Sequence, residues 1–413
     1  MGFLKVLRIR SLAVLWLSQV LSAMGDYFYQ IAVVWIAVRQ VGSGAGIVVA
    51  GETGSMLLFG LLGGVYADRW NRRLVMVTAD VIRAIAVAAL PVLALSGTLQ
   101  LWHLVVVAVV VGSLSALFDP ALQASLPTLT GNLQTLQAAN GLMDVTRRLA
   151  RVLGPSLAGL LAALMPLAHF FTLDAISFAI SAAAVLSLGR RFAWKPLKSE
   201  AVQQGLNGII GEIVGALRLV QAHQPLAWAL VANGISNMLW STAFIVGVPL
   251  LADRVLHGNV GAYGLIVGAY GVGNVVSNLV IGSITIRRRV VLMFVGKVIL
   301  GAGFLLLASA LALWMAMLAA AFAAIGGPMG DIIQLTMIQT DLPSNQVGKV
   351  YSLRMIIENA GSLLGLLLAV PLFAGVSVPL AIAACALTMM VTGVVCLLRF
   401  GFTEPAVPAL QQE

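Results

Sequence analysis

The sequence predicts an all-α membrane protein of twelve transmembrane helices in two pseudo-symmetric six-helix bundles. Three observations predict it. Hydrophobic residues make up 60% of the 413 residues and charged residues 9%, against about 45–50% and about 25% in soluble domains. Dividing 413 residues by twelve gives about 34, the ~20 apolar residues a membrane helix needs plus a short connection. One long polar connection then separates six apolar spans from six more.

Apolar windows bounded by charge or turn residues place the spans at 12–38, 45–66, 74–96, 101–125, 136–165 and 167–189, then 224–251, 260–284, 290–309, 311–339, 348–370 and 376–398. The first follows Lys5, Arg8 and Arg10 as a signal core would, but it is too long for one and is read as a retained span. Span two closes near Gly64, and span three opens after Arg72-Arg73. Spans five and eleven begin with a polar helical turn or two. Residues 190–223 open with Arg190, Arg191, Lys195 and Lys198 and end in a helix expected on the membrane surface, with Leu217 and Val220 on its apolar side. The organisation is therefore a bundle at 1–189, a linker at 190–223, a bundle at 224–399 and a cytoplasmic tail at 400–413.

A net charge of +9 in a soluble protein would raise the question of nucleic acid. Topology explains it more simply. With both termini inside, 20 of the 24 Lys and Arg residues fall in cytoplasmic segments, as the positive-inside rule requires. The expected location is the cytoplasmic (inner) membrane of a bacterium, multi-pass, with membrane lipids as partners and no nucleic acid. Cys385 and Cys396 lie in one late span without metal-ligand spacing, and the four histidines are scattered. No metal, cofactor or enzymatic activity is expected, and no G-x-x-x-x-G-K-[ST] loop suggests nucleotide-driven transport. A monomer is expected.

The halves echo each other. Arg72-Arg73-Leu74-Val75-Met76 after span two returns as Arg288-Arg289-Val290-Val291-Leu292 after span eight, 216 residues later, and a glycine closes the preceding span in both cases, Gly64 and Gly282. Asp119 in span four has Asp331 in span ten as its approximate counterpart. Such repeats mark transporters in which two bundles move around a central site.

The segment Gly64-Val65-Tyr66-Ala67-Asp68-Arg69-Trp70-Asn71-Arg72-Arg73 resembles the signature loop of the major facilitator superfamily, G-x-x-x-D-R-x-G-R-K. Asn71 replaces the usual glycine, and Asn tolerates the left-handed backbone such a turn uses. The first half also resembles the third drug:proton antiporter family, with its macrolide-efflux-like and enterobactin-exporter-like members. The stretches that carry this are Ser22-Ala23-Met24-Gly25-Asp26, Asp80-Val81-Ile82-Arg83, Phe118-Asp119-Pro120-Ala121 and Ala139-Asn140-Gly141 running on to Gly154-Pro155. The resemblance implies a proton-coupled exporter working by alternating access. It implies that Asp68, Arg69, Arg72, Arg73 and Asp119 form a conformational switch. In that switch Asp68 faces the start of span eleven and Arg72 pairs with Asp119.

An ionisable residue at bilayer depth costs about 2.5–3.5 kcal/mol or more and calls for a reason. Asp26 stands near the middle of span one, and Gln19, Ser22, Asp26 and Gln30 share one helical face. A polar stripe on a membrane helix belongs against a water-filled cavity, so Asp26 is the leading proton carrier; the plainer reading is a structural hydrogen bond to a neighbouring helix. Glu52 either accepts protons from outside or pairs with Arg39. Asp331 is the third acid to consider for the proton. Asp80 with Arg83 (i, i+3) and Arg354 with Glu358 (i, i+4) are expected as local buried ion pairs. Lys297 is deep, and the sequence names no partner for it.

The second half is richer in amides and aromatics. Asn233, Asn237 and Trp240 in span seven, with Tyr270 and Asn274 in span eight, join Gln19, Ser22 and Gln30 as the expected substrate cavity. An acid on one wall with amides and aromatics on the other suits a small amphiphilic molecule, drug-like or siderophore-like. Two alternatives stand beside efflux. One is a lipid or lysolipid translocator of the same fold, and the other a non-transporting membrane receptor or assembly factor.

Overall fold

The computed structural model describes residues 6–66, 71–130, 132–162, 164–188, 205–284, 286, 288–342 and 344–400. All the long elements among them are helices. The chain divides into two compact units, Met1–Gln203 and Gln204–Glu413. The first unit holds α1 (Arg10–Val41), α2 (Ala45–Tyr66), α3 (Arg72–Leu95), α4 (Leu101–Thr130), α5 (Leu133–Leu161) and α6 (Ala168–Ser187). The second opens with a linker helix, Gly205–Ala222, followed by α7 (Gln224–Val255), α8 (Val260–Ser283), α9 (Arg289–Ala308), α10 (Leu313–Asp341), α11 (Ser344–Gly375) and α12 (Val378–Phe400).

Ten helical stretches among the described residues are long and apolar enough to cross a membrane. The first of them, Arg10–Gly60, runs through the 3-10 turn Gly42–Gly44 and so contains α1 and most of α2. Gly42 makes that corner with φ 58°, a conformation glycine adopts without a Cβ clash. Helix α5 is not among the ten; its middle carries Asp144, Arg147, Arg148 and Arg151. The spans expected from hydropathy and the observed helices differ by a few residues at their ends. Among the described residues the internal departure is α7, where α-helical bonding gives way to π-helical turns at Ser241–Gly247 and Leu251–Val255.

The two units repeat one packing pattern. In the first, α2 packs on α4, α3 on α6, α1 on α5, α1 on α6 and α3 on α4; in the second, α8 packs on α10, α9 on α12, α7 on α11, α7 on α12 and α9 on α10. Every pairing recurs six helices later, the structural counterpart of the repeated Arg-Arg segments. Small residues make the closest seams. A Cβ on Gly112 of α4 would strike the Glu52 carbonyl of α2, and one on Gly273 of α8 would strike the Ala321 carbonyl of α10. Lipid offers no hydrophobic incentive for helices to associate, so close backbone approach through glycine supplies van der Waals contact instead. Large apolar side chains such as Ile85, Leu160, Leu279 and Leu398 point outward from the bundles.

Asn71 departs from the expectation of a left-handed turn. Its backbone is extended, with φ −64° and ψ 105°, and its Oδ1 accepts from the Arg73 and Leu74 amides. It is the N-cap of α3. A short amide side chain satisfies orphan N–H groups at a helix start, which accounts for Asn here as well as conformational tolerance would. The linker helix buries Ala216 and Val220 against Leu226, Leu230, Ile338 and Leu353, while Val214 and Leu217 stay exposed.

Candidate transport site

In the first unit, Asp80 and Arg83 pair within α3 through Oδ1 and Nη2, both side chains buried. Arg83 Nη1 also donates to Ser115 Oγ on α4 at 3.1 Å. Its guanidinium carbon lies 4.7 Å from the Phe118 ring centroid and 4.4 Å from that of Phe178. A planar cation clamped between two rings and bonded along its edge is fixed in place. This pair ties α3 to α4 and α6.

The polar stripe on α1 is less uniform than its spacing suggested. Gln19 Nε2 donates to Ser181 Oγ on α6 at 3.1 Å. Ser22, expected in the cavity wall, is buried at the edge of the stripe. Asp26 and Gln30 are exposed, and no described residue makes a hydrogen bond or ion pair with the Asp26 carboxyl. The alternative of a structural hydrogen bond for Asp26 therefore has no partner among the described residues. Glu52 on α2 is half-buried, and its carboxyl likewise meets no hydrogen-bonding or ion-pairing group among the described residues.

Asp68 and Arg69 lie outside the described residues. Arg72 Nη1 donates to the Ala124 carbonyl on α4 at 2.7 Å. This differs from the expected pairing with Asp119, which is exposed and stands five residues, about 7.5 Å of helix rise, before Ala124. Arg73 Nη2 donates to the Leu186 carbonyl at 2.7 Å, a cation at the C-terminal end of α6 where the helix dipole favours it. The second unit has a related contact: Arg289 Nη1 bonds Thr340 Oγ1 at 3.0 Å and lies 3.7 Å from Asp341 Oδ1.

The second unit contains a polar network that sequence reasoning gave only in pieces. Lys297 on α9, 5% exposed, donates from Nζ to Asn233 Oδ1 on α7 at 2.7 Å. Asn233 Nδ2 donates to Gln334 Oε1 on α10 at 3.0 Å and to Glu358 Oε1 on α11 at 2.5 Å. Arg354 Nε also donates to Glu358 Oε1, at 2.5 Å, and Arg354 Nη2 reaches Asp331 Oδ1 at 3.2 Å. Two earlier expectations change. Asn233 is 2% exposed and forms the hub of this network, so it does not line a cavity. Asp331 is engaged by Arg354, which separates it from the unpaired Asp26 and Glu52. Both follow from partners on other helices, which local spacing does not reveal.

Next to the network, Asn237 Nδ2 donates to the Asn233 carbonyl at 3.0 Å. Trp240 Nε1 donates to Tyr270 Oη at 2.9 Å, joining α7 to α8. Phe244 stacks on Trp240 with centroids 5.2 Å apart and meets Tyr270 at 4.3 Å. Trp240 and Tyr270 are half-buried, as are Asn274 and Asn278, which bond each other through Asn278 Nδ2 and Asn274 Oδ1 at 3.0 Å. This aromatic wall begins where α7 turns π-helical at Ser241, and such turns recur at functional sites.

Asp174 on α6 is the residue that sequence reasoning missed. It is fully buried and, among the described residues, its carboxyl accepts only from Ser177 Oγ at 3.3 Å and its Oδ2 has no partner. The signal was available, since an acid inside an apolar span demands the same explanation there as at Asp26. Among the described residues no cluster of three or more His, Cys, Asp or Glu side chains could hold a metal ion, and Cys385 and Cys396 are buried free thiols.

Comparison with known proteins agrees with this architecture. The Transmembrane secretion effector family matches residues 2–409. The multidrug efflux pump Tap of Mycolicibacterium fortuitum is 27% identical over 383 residues, covering 91% of this chain and 92% of that protein. Macrolide efflux protein A of Streptococcus pyogenes is 22% identical over 359 residues, covering 86% and 87%. Among solved structures, an auto-inhibited POT family peptide transporter superposes with a TM-score of 0.74 at 13% identity, covering 98% of this chain and 99% of that one. The fold is that of major facilitator transporters, in a multi-pass membrane protein. The chain belongs to the Transmembrane secretion effector family of that superfamily.

Proposed function

We propose that this protein exports small amphiphilic molecules from the cytoplasm in exchange for protons, by alternating access across a bacterial cytoplasmic membrane with both termini inside. The observation that carries the reading is the contrast within the first unit. Arg83 and Asp80 neutralise each other, while Asp26, halfway along α1, is exposed and without a bonded partner among the described residues. An unpaired acid at that depth has the accessibility a proton carrier needs. Glu52 is its companion on α2, nearer the outer surface. Asp331, Arg354 and Glu358 serve instead as an ion-paired brace in the second unit, and Arg72 and Arg73, with Asp68 and Arg69, act in switching between states.

Substrate class follows from the relatives and from the aromatic wall. Tap and macrolide efflux protein A are named for multidrug and macrolide efflux, and the half-buried Trp240 and Tyr270, backed by the buried Phe244, offer aromatic surface beside the amides of Asn237 and Asn274. Planar amphiphiles, cationic ones included, fit such a surface. The test is proteoliposome transport of ethidium, a planar aromatic cation, with an imposed proton gradient. Gradient-dependent accumulation, with protons moving opposite to the dye, supports the reading. Dye movement that ignores the proton gradient contradicts it.

A further inference from the structure

Asp174 lies on α6 at the seam where α1, α3 and α6 meet. Its side chain has no solvent contact. A Cβ on Gly25 would come within 2.6 Å of Asp174 Oδ1, so the α1 backbone presses on the carboxyl one residue before Asp26. The charged and titratable groups within electrostatic reach of it are Asp26 and Tyr29 from α1, Arg83 from α3 and Glu52 from α2. Arg83, the only cation in this set, is committed to Asp80 and Ser115 and held between Phe118 and Phe178. Among the described residues only the Ser177 hydroxyl reaches the carboxyl, at 3.3 Å, and its shorter bond, 2.8 Å, goes to the Asp174 backbone carbonyl. A bare carboxylate in that position would be buried, unpaired and set beside two further acids, a far costlier state than the neutral acid.

We propose that Asp174 is a second proton-binding site, which holds a proton behind Asp26 while α1 is packed against α6. Loss of that proton places an unpaired negative charge against the α1 backbone and favours separation of the two helices. Protonation of Asp174 is thereby linked to the packing of α1, the helix that carries Asp26. For the use of that proton in transport, the proposal rests on the exporter reading.

The experiment is infrared spectroscopy of the purified full-length protein at neutral to mildly alkaline pH, where exposed carboxyls are ionised. The wild type should show the carbonyl stretch of a protonated, weakly hydrogen-bonded carboxylic acid. Asp174→Asn should abolish the band, and Ser177→Ala should keep it but shift its frequency, because the single donor to Oδ1 is gone. Ser177→Ala also provides the readout should Asp174→Asn fail to fold. A band unchanged in either variant overturns the site and leaves the exporter reading intact. A band lost in Asp174→Asn, in a wild type without proton-driven flux, keeps the site and overturns its use in exchange.

Discussion

Lys297 and Asn233, 64 residues apart in sequence, meet inside the second bundle with Nζ 2.7 Å from Oδ1. The amide does two jobs there. Its oxygen accepts from the ammonium, and its nitrogen donates to Glu358 and Gln334, so a cation on α9 and an anion on α11 are joined through one neutral side chain on α7. Hydrogen bonds to charged groups contribute about 1.5–3 kcal/mol each. Asn233→Leu should therefore destabilise the protein by at least that much, whereas Asn237→Ala should change stability by less than about 1 kcal/mol. Thermal melting in detergent measures both. Equal melting temperatures for the two variants would remove Asn233 from the centre of the network.

The Asp80–Arg83 pair predicts a non-additive pair of substitutions. Arg83→Met leaves Asp80 as an uncompensated buried acid, a change that costs about 3–5 kcal/mol. Asp80→Asn made together with Arg83→Met should recover part of that loss. A double-mutant cycle with no coupling would show that the cation is held by Phe118, Phe178 and Ser115 alone.

At Asn71, a cap and a left-handed turn make different predictions. Asn71→Ser keeps an acceptor for the first-turn amides and should be nearly neutral, while Asn71→Ala should cost about 1 kcal/mol. Melting curves that rank serine with alanine would point back to backbone conformation.

Most of the scaffold was legible in the sequence. Hydropathy located the helices, and the offset of 216 between the Arg-Arg segments foreshadowed helix pairings that recur six helices later. Ion pairs one helical turn apart were legible too, because spacings of three and four residues fix Asp80 against Arg83 and Arg354 against Glu358. Contacts between helices were not. Nothing local to Lys297 points to Asn233, and nothing local to Arg354 points to Asp331, since each depends on which faces two helices present to one another. Asp174 is a different case, for its residue type alone inside an apolar span carried the signal.

Arg72, a member of the segment that resembles the superfamily's switch loop, bonds from the start of α3 to the Ala124 carbonyl near the end of α4. Arg72→Ala should lower ethidium turnover at least several-fold at unchanged expression and membrane insertion, and Arg72→Lys should recover part of it. Wild-type turnover in the alanine variant would take Arg72 out of switching.

Tyr270 and Trp240 share a hydrogen bond on the aromatic wall. Tyr270→Phe keeps the ring but leaves the indole N–H without that acceptor. It should weaken apparent affinity for planar aromatic substrates a few-fold with little change in maximal rate, while Trp240→Ala should impair both. Kinetics over a range of dye concentrations separate the two effects. An unchanged apparent KM in both variants would place the substrate elsewhere.

Asp26 carries the central claim, and its isosteric substitution tests it most directly. Asn in place of Asp26 imitates the protonated side chain permanently, so substrate can still bind and exchange but proton movement is uncoupled from it. In proteoliposomes with an imposed pH gradient, Asp26→Asn should exchange labelled ethidium for unlabelled ethidium across the membrane yet fail to concentrate it. Wild-type concentrative transport by Asp26→Asn would contradict the assignment of the coupled proton to Asp26.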